Sequence, residues 1–338
     1  MHFYSDNTAP AAPEVLAAVQ AANSGMARAY GADEWSARLD AAFSSYFGRL
    51  VRAFPVATGT AANALALATL TPPYGEIFAS ANAHIVHDEC GAVELQCAGA
   101  RITRLSGRDE LIEATALADW LADNPTSVHS VQPAVVSITQ ASECGTVYLP
   151  AQITAIAAVC RQRGLALHMD GARFANALAS LGAAPAELTW QAGVDVLSFG
   201  ATKNGALGAE AVVFFDPSRA ADFELRRKRG AHLLSKMRYL SAQLLCCLEG
   251  RFFLEYATRA NALAARIGIA AADRLLYPVQ ANAAFLQLRP GEKQALREQG
   301  FGFYDWGAPR EDSARFVVSW DQPERDVDTL CEALAGWR

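Results

Sequence analysis

Chemistry is most concentrated in the stretch Val194–Gly205 (VDVLSFGATKNG). Its apolar residues through Phe199 predict a short buried strand, which breaks into a turn of Thr, Asn and Gly carrying one lysine, Lys203. Partial burial at a strand end lowers a lysine pKa and frees the neutral amine to form a Schiff base with a carbonyl. Taken alone, Lys203 is equally a solvated turn residue. Upstream, Leu165–Arg173 (LALHMDGAR) predicts a second buried strand ending in an acid, a glycine and an arginine. An aspartate beside a pyridinium nitrogen, with an amine for the aldehyde, is the pair that pyridoxal 5'-phosphate requires; Asp170 and Lys203 are that pair.

These residues need elements to hold them. A helix over Arg173–Leu181 and a second helical segment over Ala184–Ala192 fit between the two strands. Earlier, Leu50–Val56 reads as a strand, and Ala57–Asn63 (ATGTAAN) as a small-residue turn into an Ala/Leu helix. Such a helix start offers free N–H groups and the positive end of the dipole to a phosphate. Gly59 lets the anion approach the backbone, Thr60 adds a hydroxyl, and Thr58 opens the turn. Many strand-to-helix turns look like this one; with Asp170 and Lys203 it becomes the third member of a set. Strands at Glu76–Ser80, Ala100–Leu105, Ala134–Thr139 and Ala209–Phe215 alternate with helices, including Asp109–Ala122 and Pro150–Arg163. That alternation predicts an α/β fold with a mostly parallel, doubly wound sheet and sites at the strand ends.

The strings HMDGARFANA (168–177) and SFGATKNG (198–205) resemble those of the low-specificity L-threonine aldolases, fold-type-I pyridoxal-phosphate enzymes related to the aromatic β-eliminating lyases. The resemblance runs over nearly the whole chain. It implies that Lys203 carries the cofactor, that Asp170 faces its ring nitrogen and that His84 stacks on the ring. It also implies that Ser5, Arg173 and Arg315 grip the substrate carboxylate and that Arg238 reaches the cofactor phosphate. Tyr30 would line the active site, often that of a neighbouring subunit. His129 would lie near the substrate hydroxyl and act as its base, although Ser127 replaces the acid that the family carries beside it. The implied reaction cleaves an L-3-hydroxy-α-amino acid, such as threonine or phenylserine, to glycine and an aldehyde. The implied assembly is a homodimer or homotetramer with sites at subunit interfaces. Breaking Cα–H instead, with loss of a β-substituent, would give a 2-oxo acid and ammonia. A non-catalytic cofactor-binding protein is the remaining alternative.

The rest of the chain sets boundaries. At 338 residues it suits an N-terminal arm (1–12), a large cofactor-binding domain (13–245) and a small C-terminal α+β domain (246–338). A net charge of −6 argues against nucleic acid and anionic membranes as partners. The seven cysteines include no C-x-x-C pair, no metal site is expected, and reduced thiols fit a cytoplasmic protein. The opening residues show no export signal, and no apolar run is long enough to span a membrane. From Ala242 a long helix runs toward Ala272, interrupted at Glu249-Gly250. Strands at Ala283–Leu288, Phe301–Asp305 and Arg315–Trp320 and helices at Glu292–Gln299 and Glu324–Trp337 complete the reading. Gln140 and Glu143, in the loop after Thr139, either point into the site or are solvated.

Overall fold

The structure is a computed structural model describing residues 1–307 and 312–336; Trp337, the expected end of the last helix, lies outside them. Seven strands form the main sheet: β1 (Arg52–Val56), β2 (Gly75–Ser80), β3 (Arg101–Leu105), β4 (Gln132–Thr139), β5 (Ala166–Gly171), β6 (Val196–Gly200) and β7 (Glu210–Phe214). Their order is β1-β7-β6-β5-β4-β2-β3. Only β7 runs against the others, pairing antiparallel with both β1 and β6. Every residue of β2, β5, β6 and β7 is buried. Helices cover both faces of such a sheet, so its strands are near-continuous apolar runs. Phe199, near the end of β6, meets Phe43, Tyr46 and Phe174 edge-on. That aromatic packing fixes the strand from which Lys203 emerges.

A second, antiparallel sheet of β8 (Ala283–Gln287), β9 (Tyr304–Asp305) and β10 (Ser313–Val317), in the order β8-β10-β9, has its own hydrophobic cluster. The N-terminal arm is part of that cluster. Phe3 is fully buried against Phe301 and Phe316. Its N–H donates to the Gly302 carbonyl (2.7 Å), and its own carbonyl accepts from the Val317 N–H (2.9 Å). The arm thereby carries Ser5 and Asp6 to the mouth of the large sheet.

Some elements differ from the sequence reading. No helix forms over 184–192; the segment is a series of turns. Thr189 folds its hydroxyl back to the Pro185 carbonyl (2.6 Å), and Gly193 reverses the chain at φ +102°. The helix expected from Asp109 starts at Ala114, because Asp109 and Glu110 take left-handed backbone (φ 54° and 62°). The long C-terminal helix breaks at Gly250 as expected, into Arg238–Glu249 and Phe252–Ala271, but it begins at Arg238 rather than Ala242. Among the described residues no helix is long and apolar enough to cross a membrane, and no side-chain cluster could hold a metal ion.

Candidate active site

The site lies at the carboxyl ends of the parallel strands, where side-chain variation does not disturb the sheet. Lys203 sits in a single 3₁₀ turn, Thr202–Asn204, just beyond β6. Contacts on both sides hold the turn. The Thr202 hydroxyl accepts from the Ala209 N–H (3.2 Å), and the Glu210 carboxylate accepts from the Ala201 N–H (2.9 Å). Gly205 turns the chain at φ +103°, and its carbonyl accepts from the Ala12 N–H (2.8 Å). Burial first, then the neighbouring Arg173 guanidinium, holds the Lys203 pKa below the usual lysine value. Asp6, Asp170 and Glu210 oppose that shift.

Asp170 ends β5, beside β6 in the sheet. One carboxylate oxygen accepts from the Ala172 N–H (2.9 Å) and the other from Asn63 Nδ2 (2.7 Å). Asn63 also donates to Glu89 Oε1 (2.9 Å), and the same oxygen meets His84 Nδ1 (2.9 Å). A hydrogen-bonded line therefore runs from half-buried His84 through buried Glu89 and Asn63 to Asp170. The Glu89 hydrogen bond raises the His84 pKa, and burial raises that of Glu89.

Opposite these residues the helix Gly59–Leu70 begins. Thr58 caps it, its hydroxyl accepting from the Ala61 N–H (3.2 Å). The N–H groups of Gly59 and Thr60 belong to the first turn and have no carbonyl partner within the helix. A methyl group at Gly59 would meet nothing within 4 Å, so the space above this turn is open. A cavity of about 400 Å³ runs from Thr58–Thr60 to Asp170 and Lys203. A larger one of about 810 Å³ adjoins it, sharing His84 and Lys203 and adding Ser5, Glu143, Arg173 and Arg315.

The two arginines are held differently. Arg173 makes a bidentate pair with Asp6 (2.7 and 2.9 Å), whose carboxylate also accepts from Asn282 (3.0 Å). Burial would raise the Asp6 pKa, but Arg173 and Lys203 keep it below the ordinary value. Arg315, on β10, has a buried Nε with no partner and lies over the Tyr304 ring at 5.2 Å. Burial and the like charge of Arg173 lower its pKa. Asp6 offsets the charge of Arg173, whereas Arg315 keeps a bare N–H, which leaves this end of the site one anion short.

The cavities thus bring together Lys203, Asp170, His84, Thr58, Gly59, Thr60, Ser5, Arg173 and Arg315. Three expected residues line neither. His129 is exposed and precedes β4 by three residues, at the amino end of the sheet. Eight residues of β4 span ~26 Å, which separates His129 from the site at the strand's other end. Tyr30 is 54% exposed, lies under the Lys228 ammonium at 4.8 Å and anchors its backbone to Ser235. Arg238 donates to the Ser24 and Gly25 carbonyls (3.5 and 3.2 Å) on that same outer surface. Gln140 is also not a site residue: its amide clasps the Tyr148 backbone through two bonds of 2.9 Å. The sequence reading assigned no role to Asp6, Asn63, Glu89, Glu210 or Asn282. Asn63 carried a signal, as the only amide in an otherwise Gly/Ala/Leu/Thr helix; Asn282 carried none.

An amine and a locked carboxylate at adjacent parallel strand ends, facing a helix start, define an α/β enzyme fold of the fold-type-I class. The chain belongs to the beta-eliminating lyase family, whose model matches residues 2–289. It is 44% identical to the low specificity L-threonine aldolase of a Pseudomonas species over 97% of this chain and 95% of that protein. It is also 44% identical to the Pseudomonas aeruginosa protein of the same name, covering 98% of this chain and 96% of that one. The solved Leishmania major threonine aldolase shares the fold, with a TM-score of 0.92, 24% identity and 99% coverage of both chains.

Proposed function

We propose that this protein is a pyridoxal-phosphate-dependent L-threonine aldolase of low specificity, cleaving L-3-hydroxy-α-amino acids to glycine and an aldehyde. The observation that carries the reading is the pairing of a lysine of lowered pKa with Asp170, whose two oxygens are fixed by Asn63 and Ala172. The donor set fits the cofactor. Thr58, Gly59 and Thr60 would hold its phosphate, Lys203 its aldehyde carbon, Asp170 its ring nitrogen and His84 its ring face. When bound, pyridoxal phosphate supplies an electron sink for the carbanion left on Cα.

The chain's own residues do the rest. Arg173 and Arg315 place two guanidiniums on the substrate carboxylate, with the Ser5 hydroxyl beside them. Fixing the carboxylate fixes which bond at Cα is aligned for cleavage. Glu89 and Asn63 hold His84 and Asp170 in register, so neither needs to reorganise during the reaction.

A dimer or tetramer in the cytoplasm accompanies this reading. Tyr30 and Arg238, which share one outer surface and line no cavity of their own chain, would then serve a neighbouring subunit's site. The family's name favours a second reading, β-elimination. Incubating the cofactor-loaded protein with L-threonine and with L-phenylserine separates the two. Glycine with acetaldehyde or benzaldehyde is the expected product set. A 2-oxo acid with ammonia would move the protein to the eliminating lyases.

A further inference from the structure

Within its own chain His129 lies at the far end of β4, and the cavity wall offers the β-hydroxyl of the substrate a different proton acceptor. We propose that Glu143 is that group: its free carboxylate oxygen takes the hydroxyl proton as the Cα–Cβ bond breaks. The inference rests on the retro-aldol reading above.

Glu143 lies on the wall of the larger cavity with Lys203, Arg173 and Ser5. Two donors converge on one of its oxygens: Oε1 accepts from the His84 N–H (2.7 Å) and from the Thr139 hydroxyl (3.0 Å). The other oxygen, Oε2, is buried and has no partner. A carboxyl held at one oxygen and bare at the other is oriented yet uncommitted, which is what a proton-transfer group requires.

Three alternatives on the same wall, His84, His87 and Asp305, are engaged elsewhere. His84 gives its Nδ1 to Glu89, and that contact favours its charged form, a poor base. His87 Nε2 is bonded to the Ala81 carbonyl (2.8 Å). Asp305 is paired with Lys293 and Arg297. Asp88 lies exposed at the mouth.

Burial, reinforced by the charge of Asp170, pushes the Glu143 pKa up to about 7. Facing it are Asp170 from β5, Arg173 beyond it, Tyr148 and Cys144 from its own loop, and the His84 turn. A base of that pKa is poised at neutral pH. In the step, the hydroxyl proton moves to Oε2 and the O–H electron pair closes the aldehyde carbonyl. The Cα–Cβ pair remains on Cα, where a proton then completes glycine. In the synthetic direction Glu143 returns its proton to the aldehyde oxygen.

The test compares wild type, E143Q, E143D and H129A, all cofactor-loaded. In wild type, kcat/KM for phenylserine cleavage should rise with pH through about 7, because the ionised carboxylate is the active form. E143Q should lose that rise and ~10²–10⁴-fold in kcat. It should still exchange the glycine Cα proton with deuterium, a step that needs no β-hydroxyl base. E143D, which keeps a carboxyl, should recover part of the rate and the pH limb. In the unloaded protein, Glu143 and Glu210 should both contribute carboxylic-acid carbonyl stretches titrating near pH 7 to the wild-type infrared spectrum, and E143Q should lose one of the two. Wild-type cleavage rates in E143Q, equal loss of cleavage and glycine exchange, or a limb that vanishes only in H129A would each overturn the assignment. A wild type that binds cofactor and releases no aldehyde would instead overturn the aldolase reading, and this inference with it.

Discussion

Two polar groups on one strand make the most instructive contrast in the molecule. His168 and Asp170 lie two residues apart on β5 and so face the same side of the sheet. His168 is wholly buried between strands, with Nδ1 bonded to Ser137 (2.9 Å) and Nε2 to Ser198 (3.0 Å). Both ring nitrogens are satisfied and nothing is left for a ligand. At the strand end, Asp170 belongs to a cluster in which Arg315 Nε and Glu143 Oε2 are buried without partners. A polar group that closes on its neighbours holds the sheet together. One that leaves atoms bare at a cavity wall is waiting for something.

The contrast can be broken most sharply at Lys203. K203A should lose the visible absorbance of lysine-bound cofactor and all glycine release, while circular dichroism and melting stay unchanged. Retained turnover would remove the site from this cavity.

His168 tests the closed side. Burial lowers its pKa to about 4, so between the free value of 6.5 and 4 the unfolded chain binds the extra proton and the folded chain does not. Stability therefore falls as pH drops through that window, by of order 3 kcal/mol in total. Urea midpoints across pH 4–7 should show the loss in wild type, and H168Q, with no titrating ring, should lack this contribution. Identical profiles would mean that the ring is reached by water.

On the open side, R315A should raise KM by ~10–100-fold, the worth of a charge-assisted hydrogen bond, with cofactor affinity unchanged. A fall in kcat alone would place Arg315 in the chemical step instead. Asn63 joins both sides, since it bonds Asp170 and Glu89 at once. N63A should cost ~1–3 kcal/mol of stability, because two buried carboxylates each lose a donor. It should also weaken cofactor binding, read by spectrophotometric titration. Loss of stability alone would assign Asn63 to the fold and leave Asp170 independent of it.

Much of this was legible in the residues. Lys203, Asp170 and Thr58–Thr60 each end or follow a short apolar run, and such runs are local patterns that a strand or helix start makes visible. The family resemblance added His84, Arg173, Arg315 and Ser5, all of which the fold brings to one crevice. It also added His129, which a position just before a parallel strand puts at the end away from its own chain's crevice.

What the sequence by itself determined is therefore the alternation of strands and helices, and the strand ends at which an amine, an acid and an anion site must appear. Only the tertiary structure decided how those ends are wired. Asp6 reaches Arg173 across 167 residues, and Asn282 reaches Asp6 across 276. The polar arm is anchored by one buried phenylalanine, Phe3, in a different sheet. Periodicity reports only neighbours along the chain, whereas burial, charge pairing and bare oxygens depend on which distant segments pack together.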